Sequence, residues 1–323
     1  MPSLADVSRT FKDRNILITG AAGFIGGNLA ATLSRTKCRL MLVDSNPRLV
    51  NVPLDGAACA TLHKLSICDD AFLGLITTTP LDYIFHFAGN ANVAASVVDP
   101  AIDFEVNVRA GFRLLEALRT SRSETHLLYA SSAAVYGNPS RLPIREHDPT
   151  VPISPYGVGK LAMERYVAVF CDLYGLRGTS VRMFSPFGPR LQKQIVFELI
   201  RKLLADPTSL ELFGDGTQTR DFLFVDDLVS ALLHVAAFGE TRGSVYNIAS
   251  GTSTAVSSIA AQLNDIMGLR ATIRFRRQAM LGYPDHWQAD ISRLEALGWQ
   301  PTVPLRTGLA TTAEWVKHEY PQH

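Results

Sequence analysis

The sequence predicts an α/β fold, a Rossmann-type doubly wound parallel sheet joined to a smaller α+β domain. Three observations carry the prediction. Apolar strand-like runs alternate with helical patterns from Asn15 onward, a glycine-rich turn fills the first crossover, and the rhythm changes after about Ser185. The first unit reads NILITG, AAGFIGG, NLAATLSRT and RLMLVD, which is strand, turn, helix and strand. DYIFHFAG, the helical DFEVNVRAGFRLLEALRTS, THLLYASS, the helical YGVGKLAMERYVAVFCDLYG and GTSVRMFS continue the alternation. Parallel strands need cover on both faces, and these helices supply it. Beyond Ser185, FSPFGPRLQKQ is punctuated by Pro and Gly, IVFELIRKLLAD is helical, and FGDGTQTRDF reads as a turn between short strands. The expected division is a sheet domain over 1–183 and a smaller domain over 184–323, with part of about 221–250 returning to the first. No low-complexity linker separates the halves, so a cleft should open between them, where the C-terminal strand ends of such sheets bind ligands.

Composition excludes several classes. Of 323 residues, 47% are hydrophobic and 19% charged, and Lys plus Arg number 31 against 30 Asp plus Glu, a net charge of +1. That balance makes no bulk field to attract nucleic acid or an anionic membrane, and neither is an expected partner. Cys38, Cys59, Cys68 and Cys171 are scattered without CxxC pairs or His partners at ligand spacing, so no metal site and no disulfide framework is expected. No segment approaches the ~18 uninterrupted apolar residues of a membrane span. MPSLADVSRTFKDRN mixes acids with bases and has no apolar run, so a reducing, cytoplasmic location is expected.

Gly20, Gly23 and Gly26 follow a strand and open a helix, the context in which backbone approaches a pyrophosphate at a helix N-terminus. Asp44 ends the next strand 24 residues beyond Gly20, where a carboxylate binds ribose hydroxyls and repels a 2′-phosphate. NAD is therefore the expected cofactor, in preference to NADP. The competing reading, a plain tight turn with Asp44 as a cap, is outweighed by the order of the elements. Further on, Tyr156 and Lys160 stand four apart at the start of a helical pattern, which puts both on one face. An unperturbed phenol titrates near ~10, too high for a base at neutral pH, and the ammonium of Lys160 together with a nicotinamide cation would lower it. Ser131 and Ser132 follow the strand THLLYA at the sheet edge where the cleft should lie, and one of them can bond the same substrate hydroxyl. Each feature alone is commonplace. Glycine turn, acid, strand-end serines and Tyr/Lys helix in this order fit one cleft.

With these motifs the sequence resembles the extended short-chain dehydrogenase/reductases, and within them the nucleotide-sugar epimerase/dehydratase group typified by UDP-glucose 4-epimerase. The resemblance runs over nearly the whole chain, through GAAGFIGG, LVD, FHFAG, EVNVRAG, SSAAVYG, SPYGVGK, VRMFSPFGPR, GDGTQTRDFLFVDDL, NIASG and ADISRLEALGW. It implies that Ser132, Tyr156 and Lys160 are catalytic and that Lys160 also holds the nicotinamide ribose. Phe24 and Ile25 would line the pyrophosphate turn, Phe87, Ala88 and Gly89 would pass along NAD, Asn107 would lie near the catalytic Tyr, and Phe184 would flank the nicotinamide. Ser96, Ser132, Ser185, Gln194 and Arg220 would face a nucleotide-sugar substrate, Arg220 as the diphosphate grip, for which guanidinium pairing is the physical reason. A homodimer through the helices beginning near Asp103 and Tyr156 is also implied.

Within that group, 4,6-dehydratases place an Asp-Glu pair after the catalytic Ser/Thr and the decarboxylases a Glu at the second position, where this chain has Ala133 and Ala134. No Cys lies between Cys68 and Cys171 to serve as the extra acid/base of 3,5-epimerases. C4 oxidation with return of the hydride is what remains, an NAD-dependent 4-epimerase of a nucleotide sugar, most readily a UDP-hexose. A net oxidoreductase such as a 4-ketosugar reductase or dehydrogenase, a C2 epimerase and an NAD-binding regulator are the alternatives. The chain departs from typical 4-epimerases at Ser185, where they carry Asn, at Tyr283, where an Asp is expected near the nucleotide, and at Ser66, where relatives place an Asp facing adenine. That last contact would then come through backbone around Ile67. Lys193 and Gln194 sit in a substrate loop that is otherwise apolar in relatives. Arg274, Arg276 and Arg277 are cations near the nucleotide, His86 reads as a satisfied core histidine, Trp287 and Trp299 as packing, and Arg201 with Lys202 as a solvated helix face.

Overall fold

The computed structural model describes residues 7, 9–46, 48, 52, 54, 59–276 and 285–321. Its centre is a seven-stranded sheet, all parallel. In chain order the strands are β1 (Asn15–Thr19), β2 (Arg39–Asp44), β3 (Cys59–Lys64), β4 (Tyr83–His86), β5 (His126–Ser132) and β6 (Arg177–Met183), with β10 (Arg242–Ile248) at the edge beyond β6. The spatial order is β3, β2, β1, β4, β5, β6, β10. The order in which strands are added therefore reverses between β1 and β4, the switch point at which such sheets bind ligands.

Strand residues alternate between two cores, as the period of two requires. Leu17, Val43, Ile84, Leu127 and Tyr129 pack one face against α2 (Asp70–Thr78), α5 (Ala110–Thr120) and α6 (Pro155–Tyr174). Ile16, Ile18, Leu42, Phe85, Leu128 and Val181 pack the other against α1 (Phe24–Leu33) and α8 (Val225–Phe238). Between β4 and α5 the chain runs through α3 (Val93–Val98), α4 (Pro100–Phe104) and a π-helical turn (Glu105–Arg109), which inserts one residue into an otherwise regular helix.

The second half builds two small sheets. β7 (Ser185–Phe187), β9 (Thr219–Phe224) and β11 (Ser253–Ala255) form one, and β8 (Ser209–Phe213) with β12 (Thr272–Arg276) forms the other. α7 (Ile195–Ala205), α9 (Val256–Ile266), the short α10 (Ser292–Glu295) and α11 (Leu305–Glu319) complete it. Trp299 is fully buried there, and Phe187, Leu199, Leu263 and Val316 join the core that also holds α1, so the two halves share one apolar interior. Asp227 ties the chain end down by accepting from Thr302 and Val303 backbone N–H groups at 3.0 and 2.9 Å.

Two histidines lie inside the sheet. His86 shares a 2.9 Å hydrogen bond with Thr19, and His126 one of 2.9 Å with Thr179. Burial pushes both down, to about 3 and about 4 respectively, so both rings are neutral in the folded protein. An unfolded histidine titrates near ~6.5, so the unfolded chain takes up protons first as pH falls. This stability is complete above about 6.5 and is lost as pH falls toward 4. We expect the melting temperature to drop over that interval, and His86→Gln to flatten the acid limb relative to the wild type in pH-dependent thermal scans.

Candidate active site

The glycine turn, Asp44, Gly89 and Ser132 lie at the C-terminal ends of parallel strands. After β1, Gly23 caps α1 without a side-chain bond, and no acidic residue stands in the first turn, which leaves the helix N–H groups to an external anion. A Cβ on Gly26 would fall 2.3 Å from the Gly20 carbonyl oxygen, so only glycine lets the turn close this tightly. Asp44, at the end of β2, accepts from Ala22 N–H at 2.9 Å through Oδ2 and from Asn46 N–H at 2.9 Å through Oδ1. Its carboxylate therefore braces the glycine turn, and its remaining lone pairs can take ribose hydroxyls. Ile67 buries its side chain in the core below, while Ser66 Oγ accepts from Cys68 N–H at 3.2 Å. Beyond β4, Phe87 packs among core rings and Ala88 N–H donates to Thr19 Oγ1 at 3.1 Å. At Gly89 a Cβ would fall 2.4 Å from Asn107 Oδ1 and 3.8 Å from Lys160 Nζ.

Helix α6 carries the central pair. Ser154 Oγ caps it by accepting from Gly157 N–H at 3.2 Å, Pro155 opens it, and Gly175 in a left-handed conformation closes it. Tyr156, Lys160 and Glu164, four apart, share one buried face. The Lys160 ammonium donates to the Ala130 carbonyl at 2.9 Å and lies 5.1 Å from the Tyr129 ring centre and 5.7 Å from that of Tyr156. Period-two alternation splits the serine pair. Ser132 faces the Tyr156 phenol, where its hydroxyl favours the ionised form, while Ser131 donates to Glu164. Glu164 is clasped by Arg182 of β6, at 2.6 Å between Nη2 and Oε2 and 2.9 Å between Nε and Oε1, with both side chains almost fully buried.

The electrostatics depart from the expectation for Tyr156. Burial pushes its phenol up to about 12, opposed by the Ser132 hydrogen bond and reinforced by the Asp103 charge. Burial also pulls Lys160 down to about 8, with Asp103 and Glu164 opposing. In the chain without ligand, the protein's own groups thus favour the protonated phenol.

Other expected residues have distinct surroundings. The Ser96 hydroxyl is committed at both ends: it donates to the Val93 carbonyl at 2.7 Å and accepts from Tyr156 N–H at 3.1 Å, so it anchors the start of α6 and has no proton left to offer a ligand. Phe184 stacks edge-on with Trp287 at 6.0 Å. The Arg220 guanidinium lies 5.4 Å from the Trp287 ring centre and donates to the Thr219 and Asp285 carbonyls at 2.8 and 3.1 Å. Ser185 pairs with Phe222 in the small sheet, while Lys193 and Gln194 are exposed, Gln194 with φ of +71° at the start of α7. Arg277 and Tyr283 lie outside the described residues. Arg276 is ion-paired with Glu211, Arg274 is exposed, Arg201 lies 5.0 Å from the Tyr320 ring centre, and Lys202 donates to the Glu211 carbonyl at 3.1 Å. Among the described residues no group of three His, Cys, Asp or Glu side chains could hold a metal, and no helix is long and apolar enough to cross a membrane.

Sequence reasoning missed Asp103, Glu164 and Arg182. A signal was available. Arg182 is a lone charge between Val181 and Met183 in a central strand, Glu164 repeats the Tyr/Lys spacing, and Asp103 stands four before Asn107.

The sequence profile of the NAD dependent epimerase/dehydratase family matches residues 16–249. The chain is 33% identical over 312 residues to the UDP-glucose 4-epimerase of Mycolicibacterium smegmatis, covering 94% of this chain and 98% of that one. It superposes on a UDP-glucuronic acid 4-epimerase from Bacillus cereus, solved with UDP-glucuronic acid and NAD, with TM-score 0.86, 28% identity and coverage of 95% and 100%. A UDP-N-acetylglucosamine 4-epimerase from Methanobrevibacter ruminantium gives TM-score 0.88, 26% identity and coverage of 95% and 99%. The chain belongs to the NAD-dependent epimerase/dehydratase family. It is an epimerase-family enzyme and its cofactor is NAD, which the bare N-terminus of α1 and the buried, unpartnered Asn107 Oδ1 beside Gly89 are both suited to meet.

Two substitutions probe how the family scaffold holds its site here. Arg182→Met leaves the Glu164 carboxylate buried without its partner and should destabilise the fold by about 3–5 kcal/mol in urea titration. Gly26→Ala should lower both the melting temperature and the NAD that copurifies, read as the 260/280 nm absorbance ratio.

Proposed function

We propose that this enzyme is a nucleotide-sugar 4-epimerase, with a UDP-hexose as substrate. The observation that carries the reading is the convergence of Ser132, Tyr156 and Lys160 beside Gly89 and Asn107, with buried alanines, Ala133 and Ala134, after Ser132. No side chain in that segment can add the acid or base that elimination or decarboxylation requires. The epimerase names of the relatives, on UDP-glucose, UDP-glucuronic acid and UDP-N-acetylglucosamine, support the same class.

Bound NAD supplies a reversible hydride acceptor at C4. Gly20, Gly23, Phe24, Ile25 and Gly26 would hold its pyrophosphate, Asp44 its adenosine ribose, backbone near Ile67 its adenine, and Phe87, Ala88, Gly89, Asn107 and Phe184 its nicotinamide half. Tyr156 takes the proton from O4 and later returns it, and Ser132 bonds the same oxygen. Lys160 orients the ribose and keeps positive charge beside the phenol. Arg220 grips the diphosphate. Ser185 and Gln194 flank the hexose, and Ser96 acts from behind by fixing the Tyr156 end of the helix. Gripping the diphosphate while the hexose turns separates binding from chemistry, so both faces of the 4-keto sugar can meet the same cofactor.

A homodimer is proposed on the face made by α4 and α6. Ile102 and Phe104 are exposed at 60% and 55%, and Val169, Leu173 and Tyr174 at 46%, 68% and 50%. An apolar strip of this size on two neighbouring helices calls for a partner. Leu173→Glu should yield a monomer in sedimentation velocity.

The deciding experiment is proton NMR of purified protein with UDP-glucose, UDP-N-acetylglucosamine and UDP-glucuronate and no added NAD. The C4 epimer of one of them should appear to equilibrium. Conversion only with stoichiometric NAD or NADH would overturn the reading in favour of an oxidoreductase. Tyr156→Phe should lower turnover by about 10²–10⁴-fold while leaving the melting temperature nearly unchanged. Because Lys160 acts as its ammonium and burial holds it near about 8, activity should fall as pH rises through that region.

A further inference from the structure

The charges of two carboxylates, Asp103 and Glu164, favour the Lys160 ammonium without touching it, and the two are engaged differently. Glu164 is consumed by the two-point clasp of Arg182 and by Ser131. Asp103, 1% exposed, is held by neutral amides: Asn90 Nδ2 donates to it at 2.8 Å and Asn107 Nδ2 at 2.9 Å. Its charge is thus not already balanced by an arginine or a second lysine among these contacts. The second Nδ2 proton of Asn107 goes to the Asn90 carbonyl at 3.1 Å. With both donors taken, Asn107 Oδ1 can only point toward Gly89, where it is buried without a partner. Asp103 therefore fixes which way that amide faces. It also stands behind Gly159, one residue before Lys160, with Oδ2 3.6 Å from where a Cβ would lie.

We infer that Asp103 is a positioning residue of the active site: its buried carboxylate aims the Asn107 carbonyl oxygen at the cofactor and supplies the counter-charge that keeps Lys160 an ammonium. The inference rests on the roles proposed above for Tyr156 and Lys160. The groups that face Lys160 are Tyr156 and Glu164 on α6, Asp103 on α4, Tyr129 on β5 and His86 on β4. Of these, His86 is neutral, Tyr129 is a buried phenol pushed well up by burial, and Glu164 is neutralised by Arg182. Asp103 is the stronger of the two carboxylates in favouring the ammonium and, unlike Glu164, has no ion-pair partner among the described residues. Its sign acts on both central residues in the same direction, favouring the protonated form of each.

The test uses the full-length, NAD-loaded protein. Asp103→Asn and Asp103→Ser are both neutral, and the serine retains an acceptor for the Asn107 amide. In each, Lys160 loses its proton at lower pH and the phenolate of Tyr156 forms at lower pH, so both limbs of the activity profile should move down by about one unit. A second readout needs no substrate: absorbance at 295 nm, taken as the difference from the matching Tyr156→Phe protein, reports the phenol directly. Its midpoint should fall by a similar amount in both variants. Asn90→Ala, which removes one amide and leaves the charge, should leave the midpoint unmoved. An unshifted 295 nm midpoint in the neutral variants, an equal shift in Asn90→Ala, or failure of both neutral variants to fold would overturn the inference, the last by making the carboxylate a requirement of the fold. A 295 nm shift without epimerisation would instead support Asp103 and count against the proposed substrate.

Discussion

The contact between Glu164 and Arg182 ties α6 to the paired strands β5 and β6, adding a charged anchor to the Lys160 bond to Ala130. Arg182 is planted in β6, Glu164 in α6, and Ser131 in β5 donates to the same carboxylate. Arg182 also donates to the Glu146 carbonyl at 2.8 Å and lies 4.6 Å from the Tyr136 ring centre. Burying two charges is costly, and apolar replacements could match or exceed the pair in stability. What apolar packing does not supply is register. A helix sliding along a greasy face loses little, whereas a helix whose carboxylate must meet a fixed guanidinium has one position. Tyr156 and Lys160 lie two turns and one turn from that anchor, so their placement against Ser132 and Ala130 follows from it.

The same interior that fixes the site also sets its charges against its chemistry. Burial holds the Tyr156 phenol up at about 12 and Lys160 down near about 8, each away from the ionised form the proposed reaction uses. A site built this way is quiet until a cation enters. Oxidised NAD, if bound beside Tyr156 and Lys160, would supply such a positive charge and, on reduction, would lose it. The phenol would then be a base before hydride transfer and an acid after it, with the electrostatics reversing as the chemistry reverses. That symmetry suits a reaction whose second half undoes the redox step of its first.

Much of the architecture is legible in the chain because the sheet is buried on both faces. β1, β2, β4 and the first half of β5 are dense apolar runs, β6 is marked by its position after the α6 helical pattern, and α6 shows its cap, its Pro and its closing Gly. β3 is harder to see: CATLHK lies on the sheet edge and is mostly exposed, so neither alternation nor a solid apolar run marks it. The π-helical turn at Glu105–Arg109 is one inserted residue inside a helical pattern and leaves no compositional trace. The site divides the same way. Spacing put Tyr156 with Lys160, but which serine faces the phenol, what Ser96 bonds and what Asp44 braces depend on contacts between distant segments. Asp103 was hidden for a related reason, since an acid in the first turn of a short helix ordinarily reads as a dipole partner.

The substrate half has an anchor of its own, and it explains how a grip and a pivot can coexist. Asp221, fully buried in β9, accepts from Ser250 N–H and Oγ at 2.7 Å each, from Gly251 N–H at 3.0 Å and from Ala289 N–H at 3.1 Å. Burial nonetheless pushes it up to about 6, since four donors do not fully replace water around a carboxylate. Those contacts clamp the segment leading to Trp287 and Ala289 against the strand that carries Arg220, so the guanidinium is presented from a rigid base. The groups proposed to act on C4 come from β5 and α6, in the other half. Arg220 is on β9, so no single element carries both the proposed diphosphate grip and the proposed reacting groups. In the proposed reaction, the grip on the diphosphate and the chemistry at C4 would thus be supplied by different elements, which is the arrangement a turning hexose requires.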